Sequence, residues 1–205
     1  MPVCIYRLEA IVGDSRTGAW NTSDFLCRYI KGCVQLGSMP RIDEMLHLTP
    51  VDYVSRALVH LSTRPASMGR ILNMLAPQLV HQSRLAEWLC ALGYPVQEIP
   101  YDVWVERLIE AAGFSEGNVL PEESVRLERN ELYSLIPLFI EKVPSTSLTV
   151  PQMFTQDREP KLDGRNVIEG LAGTGITCPP IDVDLFAVFL SYFVRSGFLG
   201  AAGTV

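Results

Sequence analysis

The chain has 205 residues, 48% of them apolar and 20% charged, with a formal net charge of −6. That length can bury a core, the apolar share speaks against wholesale disorder, and the acidic balance against a nucleic-acid binder, which is usually basic. Five scattered cysteines without a C-x-x-C pair argue against a disulfide framework or zinc site and fit a reducing cytoplasm.

No charged stretch followed by an apolar core marks a secretory signal at the N-terminus. "PVCIYRL" (Pro2 to Leu8) reads as a strand. It is apolar on both alternating faces, which suits a parallel sheet covered on both sides. A polar loop from Gly13 to Gly18 follows, and then a helix over Asn21 to Gly37, with Thr22 or Ser23 as its cap and Gly37 at its stop. Thr49 is placed to cap the next helix, with Pro50 in its first position and Asp52 completing a box-like arrangement. Val51, Val54, Leu58 and Leu61 recur at helical spacing, and "RILNML" (Arg70 to Leu75) reads as a second strand. Strand, helix and strand in that order make a parallel, right-handed crossover.

Beyond Pro77 the pattern becomes mainly helical. Helices are predicted over Ser83 to Leu92 and Tyr101 to Ala112, the second with Val103, Trp104, Leu108 and Ile109 on one side, and "YPVQEIP" is extended between them. Gly113 to Arg129 reads as a polar loop, Asn130 to Ile140 as a helix interrupted at Pro137, and Ser145 to Asp163 as irregular. Asp182 to Ser196 closes the chain as a strongly apolar helix. Its longest apolar run, Leu185 to Val194, is about half of what spans a bilayer.

Few residues offer chemistry by spacing alone. Gly13 and Gly18 have the G-x-x-x-x-G spacing of a phosphate-binding loop. Ala19 and Trp20 stand where Lys and Ser or Thr should grip the phosphate and its metal. The alternatives for this loop are a solvated connection and a ligand-facing rim, since open α/β sheets bind ligands beyond the carboxyl ends of their strands. None of the three histidines has a second at metal-ligand spacing. His47, near Asp43 and Glu44, is the one candidate for proton chemistry, against a structural role that fits better.

The segments "IYRLEAIVGDSRTGAWN", "DFLCRYIKGCVQLGSMP", "HLTPVDYVSRALVHLS" and "LGYPVQEIPYDVW", in this order, resemble the C-terminal portion of thioester reductase domains. These are extended short-chain dehydrogenase/reductase proteins that end many nonribosomal peptide synthetases and carboxylic acid reductases. The resemblance runs through "GLAGTGITCPPID" to "YFVRSGFL", nearly the whole chain. It implies an α/β fold: the C-terminal part of a Rossmann-like parallel sheet over residues 1–76, about two strands with a crossover helix, then a mainly helical substrate- and carrier-binding subdomain over 77–205. It implies NADPH as cofactor, with a phosphopantetheinylated carrier protein and a missing N-terminal Rossmann half as partners. The glycine-rich turn and the Tyr-x-x-x-Lys element of that half are absent, for none of the seven tyrosines is followed four residues later by Lys. The isolated chain is therefore expected to be inactive, and no catalytic or metal residue is assigned.

The family's "YRPG" beside the nicotinamide is here "YRLE", with Leu8 and Glu9 in place of Pro and Gly. Arg7, Leu8 and Ile11 are thus the implied cofactor-side residues. Gly13, Asp14, Ser15, Thr17 and Asn21 are the implied walls for the acyl-phosphopantetheine arm. A rival reading is a non-catalytic docking module for a carrier protein or acyl chain.

Overall fold

The computed structural model describes residues 3–113, 130–153 and 162–203. Its strands in chain order are β1 (Ile5–Leu8), β2 (Ala10–Val12), β3 (Ser38–Arg41), β4 (Met45–Leu46), β5 (Leu48–Pro50), β6 (Ile71–Met74), β7 (Val80–His81) and β8 (Gln97–Pro100). The helices are α1 (Phe25–Leu36), α2 (Val51–Ser62), α3 (Ser83–Ala91), α4 (Tyr101–Ala111), α5 (Ile136–Ile140), α6 (Val150–Met153), α7 (Arg165–Leu171) and α8 (Val183–Arg195). The described fold is mixed α/β with short parallel strand pairs. It separates into two compact units, each assembled from three stretches: residues 1–20, 46–80 and 160–197 in the first, 21–45, 81–159 and 198–205 in the second. The sequence reading set a single boundary after residue 76. In the structure the last long helix, α8, belongs with the N-terminal strands.

In the first unit β1 runs parallel to β6, with Ile5 opposite Ile71 and Leu8 opposite Met74, and α2 lies between them in sequence. This is the predicted crossover. Past Glu9 the same run of chain continues as β2, which pairs in parallel with β5. One face of the β1–β6 pair packs Leu72 and Met74, with Cys4 and Tyr6 beside them, onto Val54, Ala57 and Leu61 of α2 and Val167 and Leu171 of α7. The other face is bare: Val3, Ile5 and Ile71 are 42–57% exposed. The far edge of β6 is stitched to α7, because the Ile71 carbonyl, which points away from β1, accepts from Asn166 Nδ2. Strand β1 has no second neighbour in its sheet among the described residues. The parallel sheet stops there with apolar side chains uncovered, the arrangement expected of an interior strand and a hazard at a free edge.

In the second unit β3 and β8 pair in parallel, Ser38 opposite Gln97. Trp104 of α4 is fully buried against them. Its indole N–H donates to the Ser38 carbonyl at 3.1 Å, and its ring meets Phe139 edge-on at 5.0 Å. The buried Tyr29 hydroxyl accepts from Gln82 Nε2 at 2.6 Å. Helix α4 buries Trp104 and Leu108 but leaves Val103 exposed, so its apolar stripe is narrower than predicted.

Two predicted caps are corrected. Thr49 does not cap α2: the residue before the helix is Pro50, no side chain caps it, and the Thr49 hydroxyl donates instead to the Ala10 carbonyl across the β2–β5 pair. Pro50, one residue nearer the helix, holds the cap position and has no side-chain acceptor to offer, and the Thr49 hydroxyl is taken up by the sheet. At α1 the cap is Asp24, which accepts from the Leu26 N–H, rather than Thr22 or Ser23. Gly37 ends α1 in the left-handed conformation, as read. The expected interruption at Pro137 is a change of helix type, a 3₁₀ turn over Tyr133–Leu135 leading into α5. The predicted polar loop lies, from residue 114 onward, outside the described residues.

Burial raises several titrating groups. Tyr29 and Cys33 are pushed well up, Cys27 likewise, and Tyr6 to about 12. In the folded chain these groups keep protons that the unfolded chain releases from about pH 9 upward, so the unfolded state binds fewer protons there. Stability falls as pH rises in that range. A urea midpoint that is level to about pH 8.5 and then declines through pH 10 is the expected result, and a midpoint that rises there contradicts it.

Candidate functional site

The first unit gathers its polar groups at the carboxyl ends of its parallel strands. Glu9, just past β1, is largely buried and uses both carboxylate oxygens. Oε1 lies 2.5 Å from His47 Nδ1, and Oε2 accepts the Ala76 N–H at 2.5 Å. The sequence placed His47 near Asp43 and Glu44; in space its recorded carboxylate partner is Glu9, thirty-eight positions away. The charge that replaces the family's glycine is thus tied to the segment following β6.

The loop after β2 is held on several sides. Asp14 Oδ1 accepts from the Arg16 and Thr17 backbone amides at 3.0 and 2.9 Å and from the Thr17 hydroxyl at 3.0 Å. Those amides, that of Thr17 foremost, hold the Asp14 carboxyl below the usual range. Ser15 gives both its N–H and its hydroxyl proton to Asp52, at 2.9 and 2.8 Å, anchoring the loop to the first turn of α2. Arg195 of α8 donates to the Thr17 carbonyl at 2.9 Å. Gly13 lies against the Phe189 ring, and Gly18 has a φ of +74° beneath the α8 backbone. The structure therefore brings Gly13, Asp14, Ser15 and Thr17 together in one loop whose recorded polar contacts are to other residues of the first unit. Asn21 lies in the second unit, where its Oδ1 accepts the Ser23 N–H ahead of α1.

Of the implied cofactor-side residues, Arg7 and Leu8 are exposed, and Ile11 is half-buried against the core. An exposed cation and an apolar side chain could meet one end of a dinucleotide. Among the described residues there is no glycine-rich turn to cradle its phosphates, so these residues alone do not fit the whole cofactor. Nor do the described residues contain a cluster of His, Cys, Asp or Glu able to hold a metal, or a helix long and apolar enough to cross a membrane.

The sequence reading missed an open cleft of about 650 Å³ at the end of β6. Leu75 and Pro77 form one wall; Val167, Ile168 and Leu171 of α7 form another; the turn over 173–178 closes it. Gly164 permits the close approach of α7, since a Cβ there would stand 3.2 Å from Leu75 and 3.3 Å from the Asn73 carbonyl. At the rim Arg165 and Asp163 form a two-pronged ion pair, with Nη2 to Oδ2 at 2.7 Å and Nε to Oδ2 at 2.9 Å. Cys178 lines the cleft, and burial, with Asp52 and Glu9 nearby, pushes its thiol up to about 11. The signals available were the "APQ" that follows the strand and the paired glycines of "AGTG", both too common to single out a site.

With this geometry in hand, the chain can be set beside known proteins. Residues 1–58 match the NAD-binding family described as "Male sterility protein". An isonitrile lipopeptide synthase of Streptomyces coeruleorubidus is 32% identical over 98% of this chain and 12% of its own length. The L-2-aminoadipate reductase large subunit of Eremothecium gossypii is 31% identical over 96% and 13%. The crystal structure of the terminal R domain from the myxalamid biosynthetic pathway superposes with a TM-score of 0.79 at 37% identity, covering 98% of this chain and 46% of that one. A thiolation-reductase di-domain from an archaeal nonribosomal peptide synthetase shares the fold, with a TM-score of 0.65 at 16% identity. The chain spans about an eighth of the length of the first two relatives. By sequence and by fold it is similar to the terminal reductase domains, matching them over nearly all of its own length and less than half of theirs.

Proposed function

We propose that this chain is the substrate-facing part of an NADPH-dependent thioester reductase, in which a carrier-bound acyl or peptidyl thioester is cut reductively and leaves as aldehyde or alcohol. The observation that carries the reading is the likeness to a terminal R domain across 98% of the chain at 37% identity. The bare face of β1 and β6 supports it. The uncovered side chains of Val3, Ile5 and Ile71 fit further sheet and helix from polypeptide that would also carry the glycine-rich turn and the Tyr-x-x-x-Lys element.

NADPH, when bound, supplies the hydride. The residues of this chain hold and shape. Arg7, Leu8 and Ile11 flank the nicotinamide end, and Glu9 keeps the end of β1 joined to the segment after β6 through the Ala76 amide. The loop of Gly13, Asp14, Ser15 and Thr17 is a fixed wall for the phosphopantetheine arm. A rigid wall suits the task, because positioning of a reacting group lowers the barrier only when the geometry is held. The helical second unit meets the carrier domain.

The test is turnover. The chain alone, given NADPH and an acyl-pantetheine thioester, should leave the nicotinamide absorbance unchanged. The same chain joined in frame to a relative's glycine-rich, Tyr-x-x-x-Lys-bearing segment should consume NADPH and release aldehyde. Reduction by the chain alone, or a joined domain that binds NADPH yet never reduces a thioester, overturns the proposal.

A further inference from the structure

We propose that Asp43, His81 and Ser83 form a second, hydrolytic site, in which the Ser83 hydroxyl takes the acyl group of a small activated ester and passes it to water. All three residues lie in the second unit. The Ser83 hydroxyl stands 2.7 Å from His81 Nδ1, and His81 Nε2 stands 3.2 Å from Asp43 Oδ1. The backbone settles where the protons are. The Ser83 N–H, which can only donate, points to the same Nδ1 at 3.2 Å. That nitrogen therefore carries a lone pair for the hydroxyl proton, and the ring N–H is on Nε2, facing the carboxylate. A hydroxyl beside a basic nitrogen whose ring is oriented by a carboxylate is the arrangement that activates a serine, and it is recognised by roles rather than by place in the chain.

The segment is fastened from below. The Gln82 N–H donates to the Glu44 carbonyl at 3.0 Å, which sets Asp43 beside His81. Gln82 itself is buried, with Nε2 on the Tyr29 hydroxyl at 2.6 Å and the Pro40 carbonyl at 3.3 Å. Ser83 opens α3. The first amides of a helix have no carbonyl inside it to reach, and that of Arg84, next after the nucleophile, suits a developing oxyanion. His81 and Ser83 are half-buried, within reach of a small ester from solvent. In the first step an Oγ–C bond forms at the ester carbonyl, Nδ1 takes the hydroxyl proton, and the bond to the leaving group breaks. Water, giving its proton to the same nitrogen, then breaks the Oγ–C bond and frees the acid. Neither step changes an oxidation state, so the site stands apart from the reductase reading and works without NADPH.

The test combines p-nitrophenyl acetate turnover by the full 205-residue chain with mass mapping after a fluorophosphonate label. The label should fall on the tryptic peptide 71–84, whose only hydroxyl is that of Ser83 and which holds no cysteine. Ser83→Ala should remove the label and lower turnover by about a hundredfold. His81→Gln should slow both by about a hundredfold and abolish the rise of rate with pH that a neutral imidazole base imposes. Asp43→Asn, at an exposed position, should cost about tenfold with the melting temperature unchanged, because an amide still holds the ring but offers no charge to the imidazolium. His60→Gln, on α2, is the control for attack by an imidazole alone and should leave turnover as it was. A label found only outside peptide 71–84, parent turnover in Ser83→Ala, or parent labelling rate in His81→Gln overturns the proposal.

Discussion

Replacing Trp104 by alanine is expected to destabilise the chain by about 4 kcal/mol and to lower its melting temperature by roughly 10 °C. The indole is wholly buried and meets Phe139 at 5.0 Å and Tyr29 at 6.4 Å. Truncation removes those contacts and leaves a cavity that the surrounding β3–β8 pair can only partly close. It also strips the Ser38 carbonyl of the indole N–H it accepts, and a buried acceptor without a donor adds its own penalty. Val103→Ala, one position away but exposed, should shift the unfolding midpoint by under about 1 kcal/mol. If the two variants melt together, the Trp104 side chain is not the anchor of the second unit.

Gly18→Ala is the matching experiment in the first unit, with an expected loss of about 3 kcal/mol or more. Two effects add. The φ of +74° is costly for any residue with a Cβ, and the new Cβ would sit 2.3 Å from the Val188 carbonyl oxygen and 2.9 Å from Tyr192 Cβ. The nearest obstacle is helix backbone, which cannot swing aside as a flexible side chain can. The loop must therefore lift off α8, straining the Arg195 contact with Thr17. Gly37→Ala separates the two effects: its φ is +66°, but nothing lies within 4 Å of the added carbon. That variant should lose about 1 kcal/mol, the backbone cost alone. Urea unfolding of both reads the difference, and equal losses would remove the steric argument.

Much of the local structure was legible because its signals are local. The strand at β1, the crossover helix α2 and the strand at β6 are told by alternation, spacing and β-branched content, and the parallel direction of the two strands follows from the connection. Helices α3, α4 and α8 fall within a residue or two of their predicted ends, and Asp182 and Gly37 act as the cap and stop that such residues make. What stayed hidden depends on long-range partners. "SMPR" contains a proline and spans four residues, so nothing in it announced a strand until β8 lay alongside. Thr49 looked like a cap because its neighbours fit one, yet β2 claimed its hydroxyl first. Asp52, read as part of that cap, instead fastens Ser15, thirty-seven positions earlier. The cleft was out of reach for the same reason, being made where residues near 75, 167 and 176 converge.

A newly made copy of this chain carries Val3, Ile5, Leu8 and Ile71 as a greasy margin, on a strand still able to accept hydrogen bonds from a neighbour. Chaperones and proteases recognise such margins as unfinished protein. On the reading proposed above, the amount that survives in a cell follows the supply of the polypeptide that covers that margin, and yield should respond to its co-expression far more than to any change of buffer.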